Sequence, residues 1–526
     1  MRVGRLIRDP RLDNRGRRLA IWNYIIKSEL MNGSHFVLAQ PGGQMYAVIG
    51  GSNEVLRVPS RGGSAWFGYL NGTYGLTERE PWMTSVHDCF RHYIQRQGIK
   101  AEMRRFASYN TENHTSYVSN YDGCMFRVDG ERITRVPNGE DGAFFADDDN
   151  HGAPCESPDI GPHGILLDRL TDPNFAAAGG LSGITPDLQK KALTVWLFAL
   201  AFPDLLIDKP ILLVEGTKGS GKTTIISHIQ LVLTGAEDPI MLQRNKEDDF
   251  GVILMRSPIA LFDNTDSFID WVPDAIAAYA TGGKWHKRKL FTDDENLVIK
   301  PQSFVSVATR NPASFRRDDV ADRCLILRFE RRATFTDRGS LKKDLLDNRS
   351  ALLGEYLWFV GQIIERIRAD GGLQSHGERF RMASFAAFAR AVGHIMGWDV
   401  EEVPRVLAAL QGESDAFANE EDPLIDLLNE WIGYRSKHQP SNIGRSVTAN
   451  QLHTELETLA GSNKIHHWKE TPRTLVAKLR STYVENAFRI EISNVSNQRS
   501  FRLWRHSDPR LELVPDEGED VMSVPD

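Results

Sequence analysis

Short, mostly apolar runs alternate along the middle of the chain with stretches whose apolar residues recur at helical spacing. Ile211 to Val214, Ile259 to Phe262, Phe304 to Ala308 and Cys324 to Phe329 are strand-length and carry little polar alternation. Such runs predict strands covered on both faces. Between the first two, Thr223 to Thr234 places Ile225, Ile226, Ile229 and Val232 on one helical face. Pro186 to Phe202 predicts a helix ahead of the first run, ended by Pro203. Beyond Ala333 the period stays helical, with one stripe at Leu352, Tyr356, Phe359, Val360 and Ile363 and another at Phe385, Phe388 and Ala389. A break at Gly412 to Pro423 precedes three predicted helices, Leu424 to Tyr434, Thr448 to Ala460 and Arg473 to Tyr483. A two-stranded ribbon, Phe488 to Ile492 with Ser500 to Trp504, follows them. Toward the start the pattern is mixed: strand-like Tyr46 to Ile49, Arg104 to Ser108 and Met125 to Val128 surround a helix near Thr84 to Gln97, which predicts a small α+β domain.

Composition narrows this picture without redirecting it. A chain of 526 residues is too long for one core. The net charge of −7 and pI near 6.1 exclude a protein that coats polyanions with its whole surface, so any nucleic-acid contact is local. Arg2, Arg5, Arg8, Arg11, Arg15, Arg17 and Arg18 face only Asp9 and Asp13 in the first eighteen residues, a pattern that predicts a solvated tail, with nucleic-acid contact as the competing reading. Cys89, Cys124, Cys155 and Cys324 form no C-x-x-C pair, as in a reducing compartment, and His151, Cys155 and His163 match no common metal spacing. The basic start lacks a secretory apolar region, and the longest apolar run, Ala192 to Ile207, is interrupted by Pro203 and Asp204. The expectation is a cytoplasmic protein that does not enter membranes.

The candidate chemistry concentrates where the first strand run ends. Gly216, Thr217, Lys218, Gly219, Ser220, Gly221, Lys222, Thr223 and Thr224 fit the phosphate-binding pattern G-x-x-x-x-G-K-[ST]. Glycines let consecutive backbone N–H groups turn inward on phosphate oxygens, and the N-terminus of the following helix adds its positive field. Lys222 would neutralise the β- and γ-phosphates of ATP, and the Thr223 hydroxyl would ligate Mg²⁺. The second apolar run closes on Asp263, which suits the same metal's water shell. The third leads to Thr309, Arg310 and Asn311, where a polar side chain reaches the γ-phosphate or the attacking water; Asn311 is the first choice and Thr309 the second. Asp147, Asp148 and Asp149 end a further apolar pair, but no partner motif makes them a primase-type metal site, and an acidic loop is the expectation.

The order of phosphate loop, acidic strand end, polar strand end and then Asp322-Arg323 before another strand resembles the AAA+ ATPases, and more narrowly the superfamily 3-type helicases of phages, plasmids and integrated elements. Tyr279 to Asp293 is similar to a segment those ATPases carry between the second and third motifs, where a hairpin enters the ring channel and tracks single-stranded DNA. The likeness covers roughly Leu181 to Gly397. It implies an α/β fold with a P-loop AAA+ core (166–345) and a helical lid (346–415). The apolar pattern adds the N-terminal α+β domain (1–165), and the helix, helix, helix and hairpin order at 424–507 is similar to the winged-helix domains of such ATPases. The acidic, chain-breaker-rich composition of 508–526 predicts a disordered tail. In a ring, Arg323 would reach a neighbour's ATP and stabilise transition-state charge. Two departures stand out. Asn264 occupies the place where many AAA+ ATPases carry a water-orienting glutamate, and Asp266 is the nearest carboxylate to assist it. The hairpin has Lys284, Trp285, His286 and Lys287 for single-strand contact, yet its expected tip, Thr292 to Glu295, is acidic. Arg379 and Arg381 are expected as surface arginines, with contact to the nucleotide from the lid as the competing reading.

In the C-terminal region Lys469, Arg473, Lys478 and Arg480 mark the third helix, while Arg499, Arg502 and Arg505 mark the ribbon, a distribution suited to a DNA groove and its phosphates. The resulting expectation is a Mg²⁺-dependent ATPase forming a hexameric homo-oligomeric ring. It would act as a helicase or translocase in mobile-element replication, with single-stranded DNA in its channel and duplex at the winged helix. The competing expectation is a regulatory or defence ATPase whose nucleotide state controls assembly without unwinding. A small-molecule kinase is weaker, because it leaves Arg323 and the C-terminal region unexplained.

Overall fold

The computed structural model describes residues 2–60, 65–77, 80–146, 152–173, 175, 184–206, 209–241, 247–263, 269, 271–280, 282, 285–288, 296–299, 303–310, 315, 318–334, 336–374, 382–399, 423–438, 447–462, 471–479, 488–495 and 498–505. It divides into two compact units, 1–414 and 415–526.

Helix formation in the first unit begins earlier than the arginine-rich sequence suggests. Arg2–Ile7 is helical, and Asn14–Met31 follows with Asp13 as its N-cap, accepting from Gly16 N at 2.6 Å. Val3 is buried, and Leu6 and Ile7 pack on the same core as Ile21 and Ile25, so apolar anchors at helical spacing hold a segment that charge alone would leave solvated. Strands Val55–Val58, Met45–Val48, His35–Ala39 and Ile99–Ala101 form a sheet in that order, covered by helices Ala65–Tyr74 and Pro81–Gln97. An antiparallel meander follows, from Ala107–Asn110 through Thr115–Ser119 and Cys124–Asp129 to Arg132–Pro137. Its Phe106, Tyr109, Val118, Phe126 and Val128 join the large core built around Trp196, Phe198 and Phe202 of the pre-loop segment. The meander is also fastened by hydrogen bonds: Ser116 Oγ donates to Ala201 O at 2.8 Å, and Tyr109 N donates to Asp204 at 2.9 Å.

The fold is mixed α/β, and its centre is a five-stranded parallel sheet. In chain order the strands are Ile211–Gly216, Pro239–Met241, Ile259–Asp263, Phe304–Thr309 and Cys324–Phe329, and in space they lie second, third, fourth, first, fifth. Ile211, Leu212, Leu213 and Val214 have no exposure at all, each side chain contributing about 1.5–3 kcal/mol by burial. The chain crosses from the fourth strand over the first to reach the fifth, which makes the C-terminal edge beside the first strand a topological switch point where ligands of such sheets bind.

Helices Arg338–Asp347, Arg349–Ala369 and Ala383–Ile395 follow, and Leu352, Tyr356, Val360, Ile363, Phe385, Phe388 and Ala389 join the same core while Phe359 stays half-buried. An antiparallel ribbon pairs Trp285–Arg288 with Asn296–Ile299; residues 289–295 between its strands, and Lys284, lie outside the described residues. Among the described residues no helix is long and apolar enough to cross a membrane, and no disulfide joins any of the four cysteines.

The second unit contains helices Pro423–His438, Ala449–Ser462 and Pro472–Leu479 and strands Phe488–Val495 and Gln498–Arg505. A two-residue strand, Val447–Thr448, pairs with the last strand and makes a three-stranded sheet that the sequence pattern did not announce. Leu424, Leu428, Leu452, Leu456, Leu475, Phe488 and Phe501 close its own core. Residues 506–526 lie outside the described residues.

Candidate nucleotide-binding site

The loop between the first strand and helix Lys222–Thr234 has the geometry that its glycines predict. Gly219 and Gly221 sit at φ +84° and +87°, where a β-carbon is strained. A β-carbon at Gly216 would lie 2.4 Å from Phe329 O and 2.7 Å from Ser220 Oγ, so the floor of the loop admits no side chain. Gly221 caps the helix without a side-chain acceptor, leaving the first-turn N–H groups to the loop mouth. Ser220 Oγ is buried and has no hydrogen-bond partner among the described residues. Thr217, Lys218 and Gly219 are exposed; Gly216, Lys222, Thr223 and Thr224 are half-buried.

Lys222 Nζ donates to the loop carbonyls of Gly216 and Thr217, at 2.5 and 3.1 Å. Its ammonium therefore already lies within the turn where the glycines curve. Thr223 Oγ1 donates to Asp263 Oδ1 at 2.8 Å. A hydroxyl and a carboxylate in contact form a hard-oxygen pair of the kind that Mg²⁺ takes together with phosphate oxygens and waters. The strand carrying Asp263 is not next to the loop strand. Strand Phe304–Thr309 runs between them, a lateral offset of about 10 Å for Asp263, and the loop helix spans that gap. Register puts Glu215 opposite Thr309 and Asp263 opposite Ala308, so the three strand ends are level. Thr309 is buried at the end of the intervening strand. Asn311, two residues on, lies outside the described residues, as do Asn264, Asp266, Arg379, Arg381, the triplet Asp147 to Asp149 and His151.

Arg323 lies at the other edge of the sheet. Its carbonyl accepts from Ile211 N at 3.0 Å, and Ile211 pairs with Cys324. Six strand residues, about 20 Å, then separate Arg323 from the level of Gly216 in its own chain.

Sequence reasoning missed two arginines beside the loop. Arg328, on the fifth strand, pairs with Glu215 at 3.2 Å and stiffens the strand end below Gly216. Arg332 leaves that strand so that its N–H meets Gly219 O at a long 3.5 Å, and its guanidinium lies 3.5–3.9 Å from where a Gly221 side chain would start. Nothing in the run Glu330-Arg331-Arg332 sets Arg332 apart; only strand order brings it to the loop. On the loop helix, burial pushes the His228 imidazole down to about 4; Glu237 opposes the shift, and Arg332 and Arg338 add to it.

The second unit shows Arg473 and Arg489 exposed and Lys478 and Arg502 half-buried. Arg499 and Arg505 are described by backbone alone, and Lys469 and Arg480 lie outside the described residues.

No protein-family profile matches this chain, and no curated protein matches it. Solved structures do resemble it at low identity. The apo NrS-1 C-terminal region (305–718) is 10% identical over 91% of this chain and 99% of that one, with a TM-score of 0.45. A structure described as SCCmec type IV Cch, active helicase, is 12% identical over 90% of this chain and 92% of that one, with a TM-score of 0.46. JCV helicase bound to a thiazolopyridine compound is 16% identical over 40% of this chain and 62% of that one, with a TM-score of 0.22. Likeness at this level leaves the functional argument to the chain's own geometry.

Proposed function

We propose that the chain is a Mg²⁺-dependent ATPase of AAA+ type that assembles into a ring, with a hexamer as the expected size, and moves along or unwinds DNA during replication of a phage, plasmid or integrated element. The observation that carries this reading is the contact of Thr223 with Asp263 at 2.8 Å beside a loop whose glycines leave room for phosphate. In the proposed site the backbone N–H groups from Gly216 to Thr224 hold the phosphates, and Lys222 swings from its loop carbonyls to the β- and γ-phosphates. Bound Mg²⁺ would supply charge neutralisation for the triphosphate. Thr223 would ligate the ion and Asp263 would order its water shell. Asn311 would sense the γ-phosphate. Asn264 orients water without accepting its proton, which makes slow basal turnover part of the reading.

Arg323 gives the site its dependence on assembly. About 20 Å of strand keeps it from its own loop, and this reading assigns it to the loop of a neighbouring subunit. In this reading hydrolysis needs two subunits, and the ribbon Trp285–Arg288/Asn296–Ile299 is the element that follows single-stranded DNA. The order helix, short strand, helix, helix, ribbon in the second unit supports a winged helix for duplex contact. Helices 349–369 and 383–395 would act as the lid. Residues 508–526 would be a disordered tail.

The testing experiment is ATP hydrolysis with and without single-stranded DNA, run alongside strand separation on a tailed duplex. DNA-stimulated hydrolysis with unwinding is expected. Nucleotide-dependent assembly with no DNA response would favour a regulatory ATPase instead, and absence of hydrolysis in wild-type protein would overturn the reading.

A further inference from the structure

The N-terminal arginines are not a loose tail, and their placement carries a separate conclusion. Seven arginines stand against two aspartates in the first eighteen residues. Both acids are engaged within the segment itself. Asp9 receives Arg11 in a two-point pair, Nε at 3.0 Å and Nη2 at 2.9 Å, and its carbonyl accepts from Arg17 at 3.1 and 3.3 Å. Asp13 is engaged as the cap of the second helix. Arg5, Arg8, Arg15 and Arg18 are exposed and have no described partner. Beneath them Val3, Leu6 and Ile7 fix the short helix to the core, so the cations ride on a folded base. Gly4, Arg5, Arg8, Asp9, Pro10 and Arg11 line an open groove of about 640 Å³.

We propose that this groove and the arginines around it bind the phosphate backbone of a nucleic acid, as a contact surface additional to the ATPase unit's ribbon and the second unit. An anchored row of guanidiniums fits repeating phosphates: each arginine offers forked donors, and a pre-folded base lowers the ordering cost on binding. The local excess of positive charge on a chain of net charge −7 makes the contact directional, because the rest of the surface does not attract polyanions as a whole.

The test is fluorescence anisotropy of the full-length protein with a labelled mixed-sequence single strand and its matching duplex, titrated with salt between about 50 and 200 mM. Replacing Arg5, Arg8, Arg15 and Arg18 by Ala together should make the log–log salt slope shallower by about 3, from about 0.7 per lost contact on single strands and slightly more on duplex. Affinity at the lowest salt should fall by about three orders of magnitude or more, while the thermal midpoint stays in place because these side chains are exposed. The quadruple Lys variant should keep the wild-type slope. Lys222→Ala should bind as wild type does, which separates this surface from the ATP site: loss of hydrolysis alone leaves the proposal standing. An unchanged slope in the Ala variant overturns it. So does equal capture of polyglutamate with equal loss in the Ala variant, which would assign the surface to an acidic protein.

Discussion

Two polar clusters in the first unit behave in opposite ways. Around Glu29 the polar groups close on one another. The carboxylate is fully buried; Oε1 accepts from Tyr69 and Tyr74, each at 2.5 Å, and Oε2 accepts from Ser34 at 2.6 Å, whose Oγ in turn accepts from Gly50 N. Burial, with Glu29 adding to it, holds both phenols well above their ordinary range. Around Gly216 to Thr223 the groups stay open: Ser220 Oγ has no described partner, Gly221 brings no side-chain cap, and Lys222 leans on carbonyls of its own loop. A closed cluster returns its desolvation cost as stability, whereas an open one keeps donors aimed at something yet to arrive. The contrast separates a closed structural cluster from the candidate site without reference to any relative.

The sharpest way to break that contrast is Lys222→Ala. ATP hydrolysis should fall at least a thousandfold with the melting temperature held within a few degrees. A variant that hydrolyses at the wild-type rate would remove the loop from the mechanism. Next in size, Arg323→Ala should slow hydrolysis about a hundredfold or more. Mixing it with Lys222→Ala should restore part of the rate, since each chain then supplies what the other lacks; no recovery on mixing would place the defect within one subunit. The closed cluster should answer in the other currency. Glu29→Ala should cost about 3 kcal/mol by leaving three hydroxyls unpaired in a buried site, seen as a lower denaturant midpoint, while hydrolysis per folded molecule stays unchanged. A fall in turnover at full stability would make Glu29 part of the active machinery.

The smallest effect concerns pH. His228 is held near 4 in the folded chain against an ordinary value of 6.5. Between these values the unfolded chain binds the extra proton, so stability is lost as pH falls from about 6.5 toward 4 and is complete above that window. Allowing for partial exposure of the ring, the loss is about 1–2 kcal/mol. Thermal melts of His228→Gln across the window should show a flatter profile than wild type, and parallel profiles would contradict it.

What was legible in the sequence was local. The phosphate loop is contiguous, its glycines answer to backbone sterics, and the strand it leaves is apolar enough to be read without neighbours. Helix Pro186–Ala199, found where the pattern ends before Pro203, shows the usual precision of such boundaries, and the third helix of the second unit is described over Pro472–Leu479, within the expected Arg473 to Tyr483 apart from one residue at its start. The first eighteen residues misled for an equally local reason. Charge dominates their composition, and Val3, Leu6 and Ile7 are too few to signal a helix until a core exists for them to face. The strand Val447–Thr448 escaped because two residues carry no period; only its pairing with Phe501 and Ser500 defines it.

The sequence by itself determined which residues are candidates for the chemistry: a phosphate-loop pattern at Gly216 to Thr223, an acid at Asp263, a cation at Arg323. Tertiary structure decided their relations. A parallel sheet ordered second, third, fourth, first, fifth inserts a strand between loop and acid, lets the helix close that gap through Thr223, brings Arg332 to the loop and sends Arg323 to the far edge. The physical reason is that apolar pattern and turn chemistry act over a few residues, whereas strand order comes from how the buried faces pack, and no short stretch of chain encodes which strand its neighbour will be.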